Sequence, residues 1–270
     1  MTGLRRLAGR RVLITGAGAG MGRATALRMA EEGASVVAVV DRVADRLDSL
    51  RAELKAMGTR AATYQVDLAD PAAARSSVER AVADLAGLDV VVSNAGASRL
   101  VSFVETSLAD LEHILAVNFI AGFVIGQAAA RHMIESGKGG VILYTAATAE
   151  GGGIVEVPAY SASKAALINL VKAVAPALGP YGIRVNVVSP GFTETSMTAD
   201  VTGDAGPLLR SLREQVPPQL PLRRMARPEE IAAVFAFLAS DDASYITGAN
   251  LIVDGGLTAP VHGVKWMPPA

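Results

Sequence analysis

The sequence predicts a single doubly wound α/β domain, a parallel sheet of seven strands with helices on both faces. Short β-branched apolar runs recur along the whole chain, with alanine-rich segments of helical period between them. The runs are apolar at successive positions rather than at every second one. Strands buried on both faces belong to parallel sheets, because each parallel neighbour needs a crossover, usually a helix lying on the sheet. A glycine-dense turn directly after the first run is the third observation.

In chain order, the first strand is read at Val12–Thr15, followed by a helix from Gly22 to Glu32 that closes on Gly33. The second and third strands are Ser35–Val40 and Ala61–Val66. Asp70 and Pro71 then open a helix running to Leu85, since Asp caps the free N–H groups and Pro needs none. Strand four is Val90–Ser93, and a long helix is read from Leu108 to Ile134. Strand five, Val141–Thr145, precedes a helix over Tyr160–Leu178; strand six, Arg184–Val188, a helix over Pro228–Ala239; strand seven is Leu251–Val253.

Residues 192–225 have no clear period and carry Pro207, Pro217, Pro218 and Pro221 among Val201, Leu208, Leu209, Leu212, Val216 and Leu220. A stretch of that length inside a compact domain is read as a lid over a substrate. The tail, residues 258–270 with the single Trp266, is read either as a frayed end or as a cover for a pocket or a neighbouring subunit. No Pro/Gly/Ser linker and no repeat separates two cores, so residues 1–270 are read as one domain.

Composition excludes several functions. With 25 Lys and Arg against 26 Asp and Glu, the formal net charge is −1, so nothing favours nucleic acid or an anionic membrane as a partner. The chain has no cysteine, which removes disulfides and thiolate chemistry, and its three histidines, His113, His132 and His262, are scattered; no metal site is expected. The apolar stretch Val117–Ala130 is interrupted by Asn118 and Gln127 and is too short to span a bilayer. Arg5, Arg6, Arg10 and Arg11 precede the run Val12–Met21, but glycines break that run, so it reads as a strand rather than a leader and cytoplasmic residence is expected.

The turn Thr15-Gly16-Ala17-Gly18-Ala19-Gly20-Met21-Gly22 joins strand to helix. Glycines there allow a tight turn, let backbone N–H groups approach a pyrophosphate, and set the positive helix end towards the anion. About twenty residues on, Asp41 ends the second strand, where a carboxylate accepts hydrogen bonds from adenosine ribose hydroxyls. A carboxylate repels a 2′-phosphate, so NAD is expected rather than NADP; Arg42 opposes this, since a guanidinium holds such a phosphate.

Further along stand Asn94-Ala95-Gly96 after strand four and Tyr160-Ser-Ala-Ser-Lys164 at a helix start. With these motifs in this order, the chain closely resembles the short-chain dehydrogenase/reductase family over roughly residues 8–258. The resemblance extends to Asp67-Leu68, Asn118, Pro190-Gly191 with Thr195, and Asp254-Gly255-Gly256. Residues four apart share a helix face, so the Lys164 ammonium can lie near the Tyr160 phenol and draw its pKa down towards neutrality. The resemblance implies that Tyr160 exchanges the substrate proton and that Lys164 also binds the nicotinamide ribose. It implies that Asn118 holds a relay water, that Asp67 and Leu68 contact adenine, and that Asn94, Ala95 and Gly96 form the cofactor floor. It places Gly16, Ala19, Gly20, Met21, Gly22, Asp41 and Arg42, and Pro190, Gly191, Phe192, Thr193 and Thr195, on the cofactor. It implies pairing of the long helices into dimers or tetramers.

One position departs from the family. Thirteen residues before the tyrosine, where a serine hydroxyl usually steadies the substrate oxygen, stands Ala147, within Thr145-Ala146-Ala147-Thr148. Three readings follow: a low-activity form, a substitute hydroxyl from Thr148 or Thr145, or non-redox use of the fold. Glu150 and Glu156 lie in the loop beyond and border the substrate in this fold, or are merely solvated. The expected function is transfer of a hydride between NAD and a secondary alcohol or ketone, apolar or cyclic to suit residues 192–225. The alternatives are a dehydratase, epimerase or lyase of the same fold, or an NAD-binding protein without turnover.

Overall fold

The computed structural model describes residues 5–148, 156–195 and 214–259. Its seven strands are β1 (Arg11–Thr15), β2 (Val36–Asp41), β3 (Arg60–Gln65), β4 (Val90–Ser93), β5 (Gly140–Thr145), β6 (Ile183–Pro190) and β7 (Asn250–Val253). They form one parallel sheet in the order β3-β2-β1-β4-β5-β6-β7. Every strand read from the sequence is present, with boundaries shifted by a residue or two. The helices are α1 (Gly20–Glu31), α2 (Ala44–Ala56), α3 (Pro71–Leu85), α4 (Leu108–Leu115), α5 (Ala121–Ser136), α6 (Pro158–Leu178) and α7 (Pro228–Ala239).

Alternation along the strands divides the interior in two. Leu13, Ala38, Val91, Ile142 and Val185 face a core built with α3, α5 and α6; Val12, Ile14, Val37, Val39 and Val92 face the other, built with α1, α2 and α7. This explains the unbroken apolar runs, since neither sheet face meets water.

Two helices differ from the sequence reading. Helix α2 was not among the predicted elements; it buries only Leu47, Leu50 and Leu54, and its remaining positions are mostly charged, so its apolar stripe is one residue wide per turn. The long helix read from Leu108 is broken into α4 and α5 by a π-turn at Ala116–Ile120 that carries Asn118. Such turns rotate one side chain out of register with its helix, which hydropathy patterning does not reveal. The combined run Leu108–Ser136 has the length and hydropathy of a membrane span, but Ile125, Ala129 and Met133 are buried against the sheet.

The chain turns back at the centre of the sheet. From β1 it proceeds outwards to β3, then crosses to β4 on the other side of β1, which opens a crevice between their C-terminal ends. Residues 192–225 leave and return at a single place: Thr193 bridges Ala226, with Glu194 N–H donating to Ala226 O (3.0 Å) and Ala226 N–H to Phe192 O (2.9 Å). Val216, Leu220 and Met225 are buried beside Phe192 and Leu257. Val201, Pro207, Leu208, Leu209 and Leu212, together with Glu150, His262 and Trp266, lie outside the described residues.

Helix α5 approaches β5 closely enough that a Cβ at Gly126 would stand 1.8 Å from the Tyr144 hydroxyl. Gly126→Ala should therefore destabilise the fold by about 1–3 kcal/mol. Adding Tyr144→Phe should recover much of that loss, measured by denaturant unfolding.

Candidate active site

At the crevice, the backbone of the β1 turn makes the first contacts. Gly16 has φ +64°, and a Cβ on it would lie 2.8 Å from the Ala95 Cα. A Cβ on Gly22 would lie 2.2 Å from Gly16 O and 2.6 Å from Asn94 Nδ2. The start of α1 thus sits directly on its own entering turn, an approach open only to glycine. Ala19, extended at the N-cap, supplies no capping side chain, so the N–H groups of the first turn face the cleft uncapped. Gly18 N–H donates to Asp41 Oδ2 (2.8 Å) and Val43 N–H to Oδ1 (3.1 Å), which orients the carboxylate while each oxygen keeps accepting capacity.

A cleft of about 460 Å³ runs along this edge. It is lined by Gly16, Ala19, Gly20, Met21, Asp41, Arg42, Asp67, Leu68, Asn94, Ala95, Gly96 and Thr195, all residues predicted for the cofactor. Glycine backbone, an uncapped helix start, a carboxylate at the end of β2 and an apolar Leu68 fit a dinucleotide. Gly22 packs beneath the turn; Pro190, Gly191, Phe192 and Thr193, at and just beyond the end of β6, and Tyr160 and Lys164 on α6, also predicted for the cofactor, lie outside the lining. The sequence reading missed Arg46, Arg99, Asp110 and His113, which also line the cleft. They come from α2, the loop after β4 and α4, which no local motif marks.

Lys164 is almost fully buried and donates from Nζ to Thr145 O at 2.8 Å. Its ammonium stands over the Tyr160 ring, 5.7 Å from the centroid, in cation–π contact. Burial pulls Lys164 down to about 8 and pushes Tyr160 up to about 12. The direction at Tyr160 is opposite to the expected pull towards neutrality, because loss of water disfavours the charged form of both groups in the protein alone. Asn118, also buried, accepts Ala97 N–H (2.7 Å) and donates to Ala97 O and Ser163 Oγ (both 2.9 Å); Ser163 Oγ donates to Tyr160 O (2.7 Å). Both amide hydrogens of Asn118 are thereby spent fastening the loop after β4 to the tyrosine helix.

Ala147 is buried two residues beyond the end of β5. The Thr145 hydroxyl donates to Asn94 Oδ1 at 3.1 Å and is committed to the floor of the cleft. Thr148 is half-buried in a helical turn after the strand has ended, so strand alternation no longer directs it. Among Thr145, Ala146, Ala147 and Thr148, only Thr148 has a hydroxyl without that commitment.

A family model described as enoyl-(acyl carrier protein) reductase matches residues 16–258. The L-rhamnose 1-dehydrogenase (NAD(P)(+)) of Sphingomonas sp. is 37% identical over 252 residues, 93% of this chain and 97% of that protein. The chain belongs to the short-chain dehydrogenase/reductase family. It is an NAD(P)-binding oxidoreductase of Rossmann fold. The family also includes the cis-4-hydroxycyclohexanecarboxylate dehydrogenase of Sinomonas cyclohexanicum, 36% identical over 92% of this chain and 96% of that one. A short-chain dehydrogenase from Burkholderia cenocepacia in complex with NADP superimposes with a TM-score of 0.85 at 37% identity, covering 93% and 99% of the two chains.

The buried lysine makes folding depend on pH. Between about pH 8 and 10 the folded protein sheds a proton that the unfolded chain retains, so this residue's contribution makes stability rise with pH. Lys164→Met should flatten that rise and stabilise the protein at pH 7, by up to about 3 kcal/mol, while abolishing turnover. Thermal unfolding of both proteins across this pH range checks it.

Proposed function

We propose that the protein is an NAD-dependent dehydrogenase that interconverts a secondary alcohol and its ketone, the substrate being apolar or cyclic. The placement of Lys164 over Tyr160, with its ammonium bonded to the carbonyl that ends β5, carries this reading. NAD, when bound, supplies the hydride acceptor for oxidation, and NADH the donor for reduction. In oxidation the substrate O–H proton passes to the Tyr160 oxygen in its ionised form as the carbinol C–H leaves as hydride; reduction returns the proton from the phenol. Lys164, with one carbonyl acceptor among the described residues, keeps two N–H donors for ribose hydroxyls and holds positive charge beside the ionised tyrosine. Asn118 keeps the tyrosine helix in register with the loop after β4.

Support for NAD comes from Asp41, oriented by Gly18 and Val43 at the ribose end of the cleft. Arg42 and Arg46 at the same end, and the NADP bound to the Burkholderia relative, favour NADP. We weigh the carboxylate above them because both arginine side chains are exposed. Residues 192–225, pinned at both ends and apolar within, serve as the lid, and the named substrates of the two dehydrogenases, a sugar and a hydroxylated ring acid, are both cyclic. Ala147 favours a second reading, in which the fold performs non-redox chemistry or binds NAD without turnover. Leu108, Ile120, Phe123 and Ile134 expose an apolar face on α4 and α5, which we assign to self-association as a dimer or tetramer.

NADH formation from a panel of cyclic secondary alcohols, read by ultraviolet absorbance, tests the reading; NAD binding with no NADH from any of them overturns it. Titration with both cofactors should show tighter NAD, and Asp41→Asn should shift the preference towards NADP by about tenfold or more. Ala147→Ser should raise turnover about tenfold or more if the missing hydroxyl limits the rate. An unchanged rate, together with a loss in Thr148→Val, assigns the donor to Thr148. A monomer by light scattering at micromolar concentration would contradict self-association.

A further inference from the structure

A line of polar groups runs from the ends of β1, β4 and β5 to α6, and Thr145 stands near its centre. On β1, Thr15 Oγ1 accepts the N–H groups of Asn94 (3.0 Å) and Ala95 (3.1 Å). Asn94 Nδ2 donates back to Thr15 O (3.2 Å) and Gly16 O (3.4 Å), so the asparagine after β4 grips the phosphate-binding turn from beneath. Asn94 Oδ1 accepts the Thr145 hydroxyl at 3.1 Å, and Thr145 O accepts the Lys164 ammonium at 2.8 Å. One residue at the tip of β5 thus bonds the turn's asparagine through its side chain and the active-site lysine through its backbone.

The direction of these bonds matters. An amide has one accepting and one donating end. Were Asn94 reversed, its oxygen would face two carbonyl oxygens of the turn and its NH₂ would meet a hydroxyl. The two turn carbonyls, which only accept, set the orientation in which Asn94 holds Gly16, and the Thr145 hydroxyl, free to turn as a donor, supplies the bond that the amide oxygen then needs. A β-branched residue on a strand has few side-chain conformations, which keeps that hydroxyl aimed. Thr145 is itself buried and paired on its outer edge with Val188 of β6, so its carbonyl has little freedom to follow the lysine.

We propose that Thr145 is a positioning residue that couples the dinucleotide-binding turn to Lys164, so that cofactor affinity depends on the two acting together. This role adds to the reaction proposed above and rests on the lysine serving the cofactor, but its test requires no turnover. Thr145→Val keeps the carbonyl and the shape of the side chain and removes the donor. NAD and NADP affinities, measured by titration in the full-length protein, should fall about three- to tenfold in Thr145→Val, the scale expected when a part-buried acceptor loses its donor. Thr145→Ser should restore them to within about twofold.

The coupling itself is read by a double-mutant cycle. In a Lys164→Met background, Thr145→Val should weaken binding by a smaller factor than in the parent, because the share of its effect that reaches the cofactor through the lysine is gone. Three outcomes overturn the proposal: cofactor affinity unchanged in Thr145→Val, Thr145→Ser as impaired as valine, or fully additive losses in the cycle. Should Thr145→Val fail to fold, Thr145→Ala and Thr145→Ser carry the same comparison, with serine tighter than alanine as the supporting result and equality as the contrary one. Absence of any alcohol oxidation in the parent protein would sink the proposed reaction and leave these binding results to decide Thr145 separately.

Discussion

The site depends first on how closely α1 can settle onto the turn that leads into it. At Gly22 a single added carbon would stand 2.2 Å from the carbonyl of Gly16. That contact brings the uncapped N–H groups of the helix to the cleft edge and brings Asn94 within reach of both Thr15 and Gly16. From Asn94 the hydrogen bonds run through Thr145 to Lys164. A wider turn would still make a Rossmann sheet, but its asparagine would have no turn to grip. Backbone proximity, more than any charge, is what joins the cofactor edge to the catalytic helix.

Burial does the next share of the work, and it acts on both members of the Tyr160–Lys164 pair. Water is removed from a phenol and an ammonium that carry no carboxylate partner among the described residues, so each is biased to its neutral form. Among the described residues the lysine spends one donor, on Thr145 O.

The departure at Ala147 takes on a definite shape once the strand end is seen. Thr145 is occupied by Asn94, Ala146 and Ala147 are buried methyl groups, and Thr148 sits beyond the sheet where alternation has ceased. The question of a substitute donor narrows from two threonines to one. Packing also divides α5, whose inner stripe meets the sheet while Phe123, with Ile120 of the π-turn, stays exposed.

Local chemistry made much of this legible in the sequence. Seven apolar runs, a glycine turn, Asp41 and the Tyr160–Lys164 spacing each depend on neighbours a few residues away, so the strands, the cofactor edge and the family resemblance could all be read from the sequence. Helix α2 escaped because its buried stripe is too narrow to show against its charges, and the break at Asn118 because a π-turn leaves hydropathy unchanged. Arg46, Arg99 and His113 reach the cleft from separate elements, and the bonds of Thr145 reach residues 51 and 19 positions away. The balance between attraction and lost water at Tyr160 was likewise beyond spacing rules. Sequence periodicity determined which segments would meet the core, because burial follows local pattern; only the folded sheet decided which distant polar groups would meet one another and in how little water.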